Sequence, residues 1–130
     1  MSSLLGTPQE SAARQRVTAI WTAFPGAQID GDQHLSCVVR RKTFVYYVVD
    51  HHGDGRIAIH CRAAPGENEL RADANPRRYF IPPYVGPRGW AGCYLDIADV
   101  DWDDIETMLR NAYLLAVPKR LARELTGDGQ

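Results

Sequence analysis

At 130 residues, with 45% hydrophobic and 24% charged side chains, the chain has the size and composition of one globular domain, which excludes a disordered or fibrous protein. No apolar run approaches the ~20 residues of a membrane span, and Met1–Gly6 has neither the basic region nor the apolar stretch of a secretion leader. A cytoplasmic protein with no membrane partner is therefore expected. A net charge of −1 argues against a uniformly basic nucleic-acid binder while leaving room for a local basic face.

The first element is announced by Thr7-Pro8-Gln9-Glu10, a capping threonine, a proline suited to the first helical position and an acid three residues after the cap. Ala13, Val17, Ile20, Trp21 and Phe24 then recur at helical steps, which puts them on one buried face, and Pro25-Gly26 ends the helix. From Ala27 to Ala64 the pattern changes to short runs rich in Val, Tyr, Phe and Ile. These predict a strand over Ala27–Asp30, a hairpin of Leu35–Arg40 and Thr43–Asp50 around Arg41-Lys42, and a strand over Arg56–Arg62 after the Gly53-Asp54-Gly55 turn. Gly66–Asn75 reads as a short helix broken by Pro76, and Tyr79–Ile81 and Gly92–Ile97 as two strands separated by the Pro/Gly-rich segment Pro82–Gly89. The clearest helix start is Val100-Asp101-Trp102-Asp103-Asp104-Ile105, with an Asp cap and acids in the first turn. Ile105, Met108, Leu109 and Ala112 mark its buried face, and Pro118 breaks or restarts it before a last helix over Lys119–Leu125 that closes at Gly127. The expected fold is α+β, an antiparallel sheet covered on one face by the N- and C-terminal helices, in one domain with its core over about residues 8–126.

Cys37, Cys61 and Cys93 are odd in number, far apart and set in apolar strand patterns. They read as buried free thiols, since a zinc site needs close-spaced ligands and a disulfide framework an even count. The acids Asp96, Asp99, Asp101, Asp103, Asp104 and Glu106 fit no metal loop, and the dipole of the following helix accounts for them. No metal and no cofactor are expected. His51, His52 and His60 could serve acid–base chemistry, but the sequence supplies no partner for them and no catalytic motif, so no catalytic residue is assigned.

The segment Pro83-Tyr84-Val85-Gly86-Pro87-Arg88-Gly89-Trp90, then Val100-Asp101-Trp102, Tyr113 and Pro118-Lys119-Arg120, resembles the MmcQ/YjbR family of small bacterial proteins. Lys42-Thr43-Phe44 and the His51-His52-Gly53-Asp54-Gly55 turn fit the same pattern, and the similarity runs from the first helix to Leu125. The resemblance implies a CyaY-like, double-wing fold, in agreement with the element reading, and its usual label is DNA-binding.

Three functional classes follow. The first is a non-catalytic binding module, a DNA-associated accessory protein, in which Arg40, Arg41, Lys42, Arg88, Lys119, Arg120 and Arg123 contact phosphates, with Arg77 and Arg78 as further basic residues. The second is a small-ligand protein whose pocket around the Pro82–Trp90 loop uses Tyr84, Arg88, Trp90, Tyr113 and Lys119 to hold an anionic or aromatic ligand. The third is an enzyme of unassigned chemistry. A continuous positive surface favours the first, and a deep pocket joining the loop to Tyr113 and the basic last helix favours the second.

Overall fold

A computed structural model describes residues 3–126; the helix stop expected at Gly127 lies outside them. Helix α1 (Pro8–Thr22) begins where the capping signal puts it, with Thr7 Oγ1 accepting from the Glu10 amide. The other half of that signal takes a different partner: the Glu10 carboxylate accepts from the Gly6 amide and turns inward, where it is almost fully buried. Ala13, Val17, Trp21 and Phe24 are buried as the periodicity requires, whereas Ile20 is only partly covered.

Strands β1 (Gln28–Gly31), β2 (Leu35–Val39), β3 (Lys42–Val49) and β4 (Ile57–Cys61) follow in meander order. After helix α2 (Glu67–Ala74) come β5 (Tyr79–Phe80) and β6 (Ala91–Tyr94). The six strands form one sheet in the order β1-β2-β3-β4-β6-β5, every pair antiparallel. Helices α3 (Trp102–Ala116) and α4 (Lys119–Thr126) complete the chain, and Asp101 caps α3 by accepting from the Asp104 amide.

Strand period two divides the side chains between two faces. Tyr47 and Val49 of β3, Ile57, Ile59 and Cys61 of β4, and Ala91 and Cys93 of β6 join the core with Trp21 of α1 and Ile105, Leu109 and Tyr113 of α3. Alternate residues, Tyr46, Val48 and His60, point to the opposite face. The expected α+β sheet with N- and C-terminal helices packed on one face is therefore the fold observed. All three cysteines are buried, and burial pushes their thiols well above the usual range, Cys37 and Cys93 to about 12. No helix among the described residues is long and apolar enough to cross a membrane.

Two boundaries differ from expectation for identifiable reasons. The β2–β3 turn is Arg40-Arg41, not Arg41-Lys42, because a register shift between Cys37 and Val38 moves the pairing so that Val39 faces Lys42. Strand β6 stops at Tyr94, short of Ile97, because the Asp96 carboxylate takes the Ile57 amide in place of a backbone carbonyl.

Candidate functional site

Strand direction sorts the charges to two ends of the sheet. The Arg40-Arg41 turn, the start of β3 and the end of β4 lie at one end, where Arg62 Nε donates to the Thr43 carbonyl at 2.8 Å. Strand β6 begins beside Cys61, so the segment leading into it, with Arg88 and Trp90, arrives at the same end. Helix α3 finishes there too: Tyr113 packs on Phe44 and Phe24 and donates its hydroxyl to the Pro25 carbonyl at 2.7 Å. Helix α4 follows directly, with Leu121 near Gly26 on the side of Val39. The structure thus brings together Arg40, Arg41, Lys42, Arg88, Lys119, Arg120 and Arg123, and adds Arg62. Arg40, Arg41, Lys42, Arg88, Lys119 and Arg120 are exposed, and none of these six forms an ion pair among the described residues. The acids nearby are Glu124 on α4 and Glu69, which shares a hollow with Arg88.

At the other end, which is rich in acids, three arginines are held in ion pairs, while Arg16 lies over the Trp102 ring. Arg14 pairs with Glu10, Arg56 with Asp96 and Arg78 with Asp99, while Asp30, Asp32, Asp50, Asp54, Asp101 and Asp103 form no ion pair among the described residues. Arg78 is therefore separated from the basic end. Between the ends, Asp104 pairs with Arg71 and accepts from the Tyr79 hydroxyl. Burial alone would raise the Asp96 and Asp104 carboxyls, but their arginine partners hold both below the ordinary carboxylate value. Of the acid cluster, Asp96, Asp99 and Asp104 are thus held in ion pairs and Asp101 in the α3 cap.

The candidate ligand residues do not share one pocket. Tyr113 is fully buried on the helix side of the sheet, since its apolar ring completes the Phe24–Phe44 stack, and Lys119 sits on α4. Trp90 is buried on the opposite face, stacked on Tyr46 at 5.5 Å between ring centres. Arg88 and Arg62 lie over the Trp90 ring and line with it and Leu115 a small cleft of about 180 Å³. Arg88 also lines a separate hollow beside α2, and Tyr84 lines one on the opposite face of the sheet from the long helices.

That hollow exists because Pro82–Gly89 folds back over the sheet. Gly86 makes the return possible: its backbone packs so closely that a Cβ there would stand 2.6 Å from Ile81 Cγ2. Pro83, Tyr84 and Val85 then roof a space of about 350 Å³ floored by Tyr46, Val48 and His60, with His34 and His51 at its side. A second hollow of similar size adjoins it, sharing His51, His60, Pro83 and Tyr84 and adding Asp54 and Phe80. All four histidines of the chain gather here. His51 lies 5.6 Å from His34, 4.2 Å from His52 and 5.5 Å from His60, ring centre to ring centre.

His34 Nδ1 accepts from the Val49 amide at 3.1 Å, so in the neutral ring the hydrogen must sit on Nε2. His60 is buried, and desolvation followed by the charges of His51 and His34 pushes its pKa down to about 4. His34 is shifted in the same direction by desolvation, then by the charges of His51 and Arg14. Both ring nitrogens of His51 are buried without a hydrogen-bond partner. The turn that carries His51 and His52 is strained, with Asp50 and His52 both in the left-handed region at φ 53°. Among the described residues, no group of three His, Cys, Asp or Glu side chains is arranged to hold a metal ion.

Sequence reasoning had no reason to include His34 or Tyr46. The usable signal was alternation, since His60 stands between core-facing Ile59 and Cys61 and must point the other way.

No family model matches the chain, and no curated protein matches it. Among solved structures, the chain is similar to the Deinococcus radiodurans protein DR2400, whose domain is DUF419, with 20% identity and a TM-score of 0.67 over 95% of this chain and 92% of that one. That likeness establishes the fold.

Proposed function

We propose that the chain is a binding module of the MmcQ/YjbR type whose basic end receives a nucleic-acid backbone. The observation that supports this reading is the separation of charge across a nearly neutral molecule. Arg40, Arg41, Lys42, Arg88, Lys119 and Arg120, drawn from the β2–β3 turn, the loop before β6 and helix α4, lie at one end and form no ion pair among the described residues, while Arg14, Arg56 and Arg78 toward the other end are each paired with an acid. A phosphate backbone rewards such a patch through counterion release, whatever the net charge of the protein.

Fluorescence anisotropy with two duplexes of unrelated sequence, titrated across a salt series, tests the proposal. Log affinity is expected to fall linearly with log salt, by about 0.9 for each phosphate neutralised. Arg120→Ala is expected to weaken both duplexes equally and to reduce the slope by about one, because a phosphate contact carries no base information. No binding to either duplex at low ionic strength, where surface electrostatics are least screened, would refute it.

A further inference from the structure

We propose that the histidine-lined hollow on the face opposite the long helices binds a neutral, planar heteroaromatic ring bearing both a hydrogen-bond donor and an acceptor. This goes beyond the polyanion reading, because His34 and His51 lie at the acid-rich end, away from the basic patch.

Shape gives the planar ring. Tyr46 supplies an aromatic floor held in place by its stack on Trp90, and Tyr84 supplies part of the roof. Tyr84 is 74% exposed and is held at φ 67°, a left-handed conformation that a tyrosine adopts at a cost. The walls between them, Val48, Pro83 and Val85, are apolar. A flat ring buries both faces in such a slot, and pockets of this kind take their specificity from a few polar groups.

Charge gives neutrality. No lysine or arginine lines either hollow, and Asp54 at the edge of the second would repel an anion. His60 and His34 are held toward the uncharged form, so neither stands ready as a cation.

Hydrogen bonding gives the donor and acceptor. A neutral imidazole has one N–H donor and one bare nitrogen acceptor, and a buried polar group left without a partner is unfavourable. Among the described residues, both ring nitrogens of His51 are buried without a hydrogen-bond partner. The outer torsion of a histidine side chain is soft, so a modest turn of the ring presents either nitrogen to the hollow it lines. A ligand carrying both a donor and an acceptor pairs with whichever His51 nitrogen is turned toward it, and His34 Nε2–H is a further donor whose state the Val49 amide sets.

The test uses three small rings at pH near 7.5 and the ¹⁵N resonances of the imidazoles. Benzimidazole has an N–H and a bare ring nitrogen and is neutral, indole keeps the N–H but lacks the acceptor, and benzoate is an anion. Benzimidazole is expected to bind and to shift the His51 nitrogens, indole to bind at least about tenfold more weakly, and benzoate to leave them unmoved. His51→Phe should lose the preference for benzimidazole over indole; if that variant does not fold, the His51 shifts in the parent protein still decide. The inference is overturned if benzimidazole at millimolar concentration leaves the His51 signals in place, if benzoate binds more tightly, or if Zn²⁺ moves those signals where benzimidazole does not. The duplex titration reads a different surface, so either proposal can fail alone.

Discussion

Tyr47 donates its hydroxyl hydrogen to Glu10 Oε2 across 2.7 Å, joining the middle of β3 to the first turn of α1 through a carboxylate that is itself buried. The same oxygen accepts from Arg14 Nε at 2.9 Å, and the other carboxylate oxygen accepts from the Gly6 amide. Burial alone would raise the Glu10 carboxyl; the bonds from Gly6, Tyr47 and Arg14 outweigh it and leave the group below its usual value. Tyr47→Phe keeps the ring and removes one charged hydrogen bond, so it is expected to cost about 1.5–3 kcal/mol in urea unfolding. A loss under about 0.5 kcal/mol, the ordinary scatter of surface substitutions, would mean the bond is not formed.

The β2–β3 turn sacrifices stability for charge. Arg40 and Arg41 both occupy the left-handed region, at φ 51° and 68°, in a two-residue turn whose favoured occupants are Asn and Gly. Replacing the pair with Asn-Gly is expected to stabilise the fold by about 1 kcal/mol, since the left-handed conformation costs a residue with a long side chain on that order. Duplex affinity should fall in the same variant, as two cations of the proposed interface are removed. Opposite movement of denaturation midpoint and affinity is the signature; a variant with unchanged affinity would detach the turn from the proposed interface.

His60 makes stability depend on pH in a defined window. Its folded pKa, about 4, lies below the ordinary value of 6.5. The unfolded chain therefore takes up a proton before the folded one as pH falls, and ν_U exceeds ν_N between those two values. Stability is fully present above pH 6.5 and declines toward pH 4, by up to about 3 kcal/mol. Glu10, Asp96 and Asp104, whose folded values are lowered, contribute stability that is lost only at more acid pH. Urea midpoints measured on either side of the His60 window should differ, and His60→Leu should reduce that difference, leaving the part that His34, lowered in the same direction, contributes. An unchanged slope in the variant would assign the effect elsewhere.

Trp90 anchors the returning loop rather than the main core. Its ring stacks on Tyr46, and Asn68 of α2 donates to its carbonyl at 3.1 Å. Trp90→Ala is expected to cost about 3–5 kcal/mol in equilibrium unfolding. Because Tyr46 loses its support, the same change should also abolish benzimidazole binding at temperatures where the variant remains folded.

Local chemistry made much of this molecule readable in advance. Thr7 and Asp101 cap their helices wherever the rest of the chain goes, because a capping bond closes within three residues. Alternation in Lys42–Val49 and Ile57–Cys61 determined that one set of side chains would be covered by helices, and hence that Tyr46 and His60 would oppose Tyr47 and Ile59. The basic residues could be named one by one for the same reason: charge is a property of the residue alone. Their convergence was not local, since it depends on where β4 ends, where β6 begins and which way α4 turns, all set by pairing between distant segments. Tyr113 shows the limit from the other side, because its motif neighbours Tyr84 and Trp90 sit across the sheet from it and no spacing in the chain records which face a helix will cover. The histidine hollow depended most on tertiary structure. His34, His51 and His60 come from three segments joined by strand register, and the cavity closes over them only when Pro82–Gly89 folds back against Ile81 and the sheet.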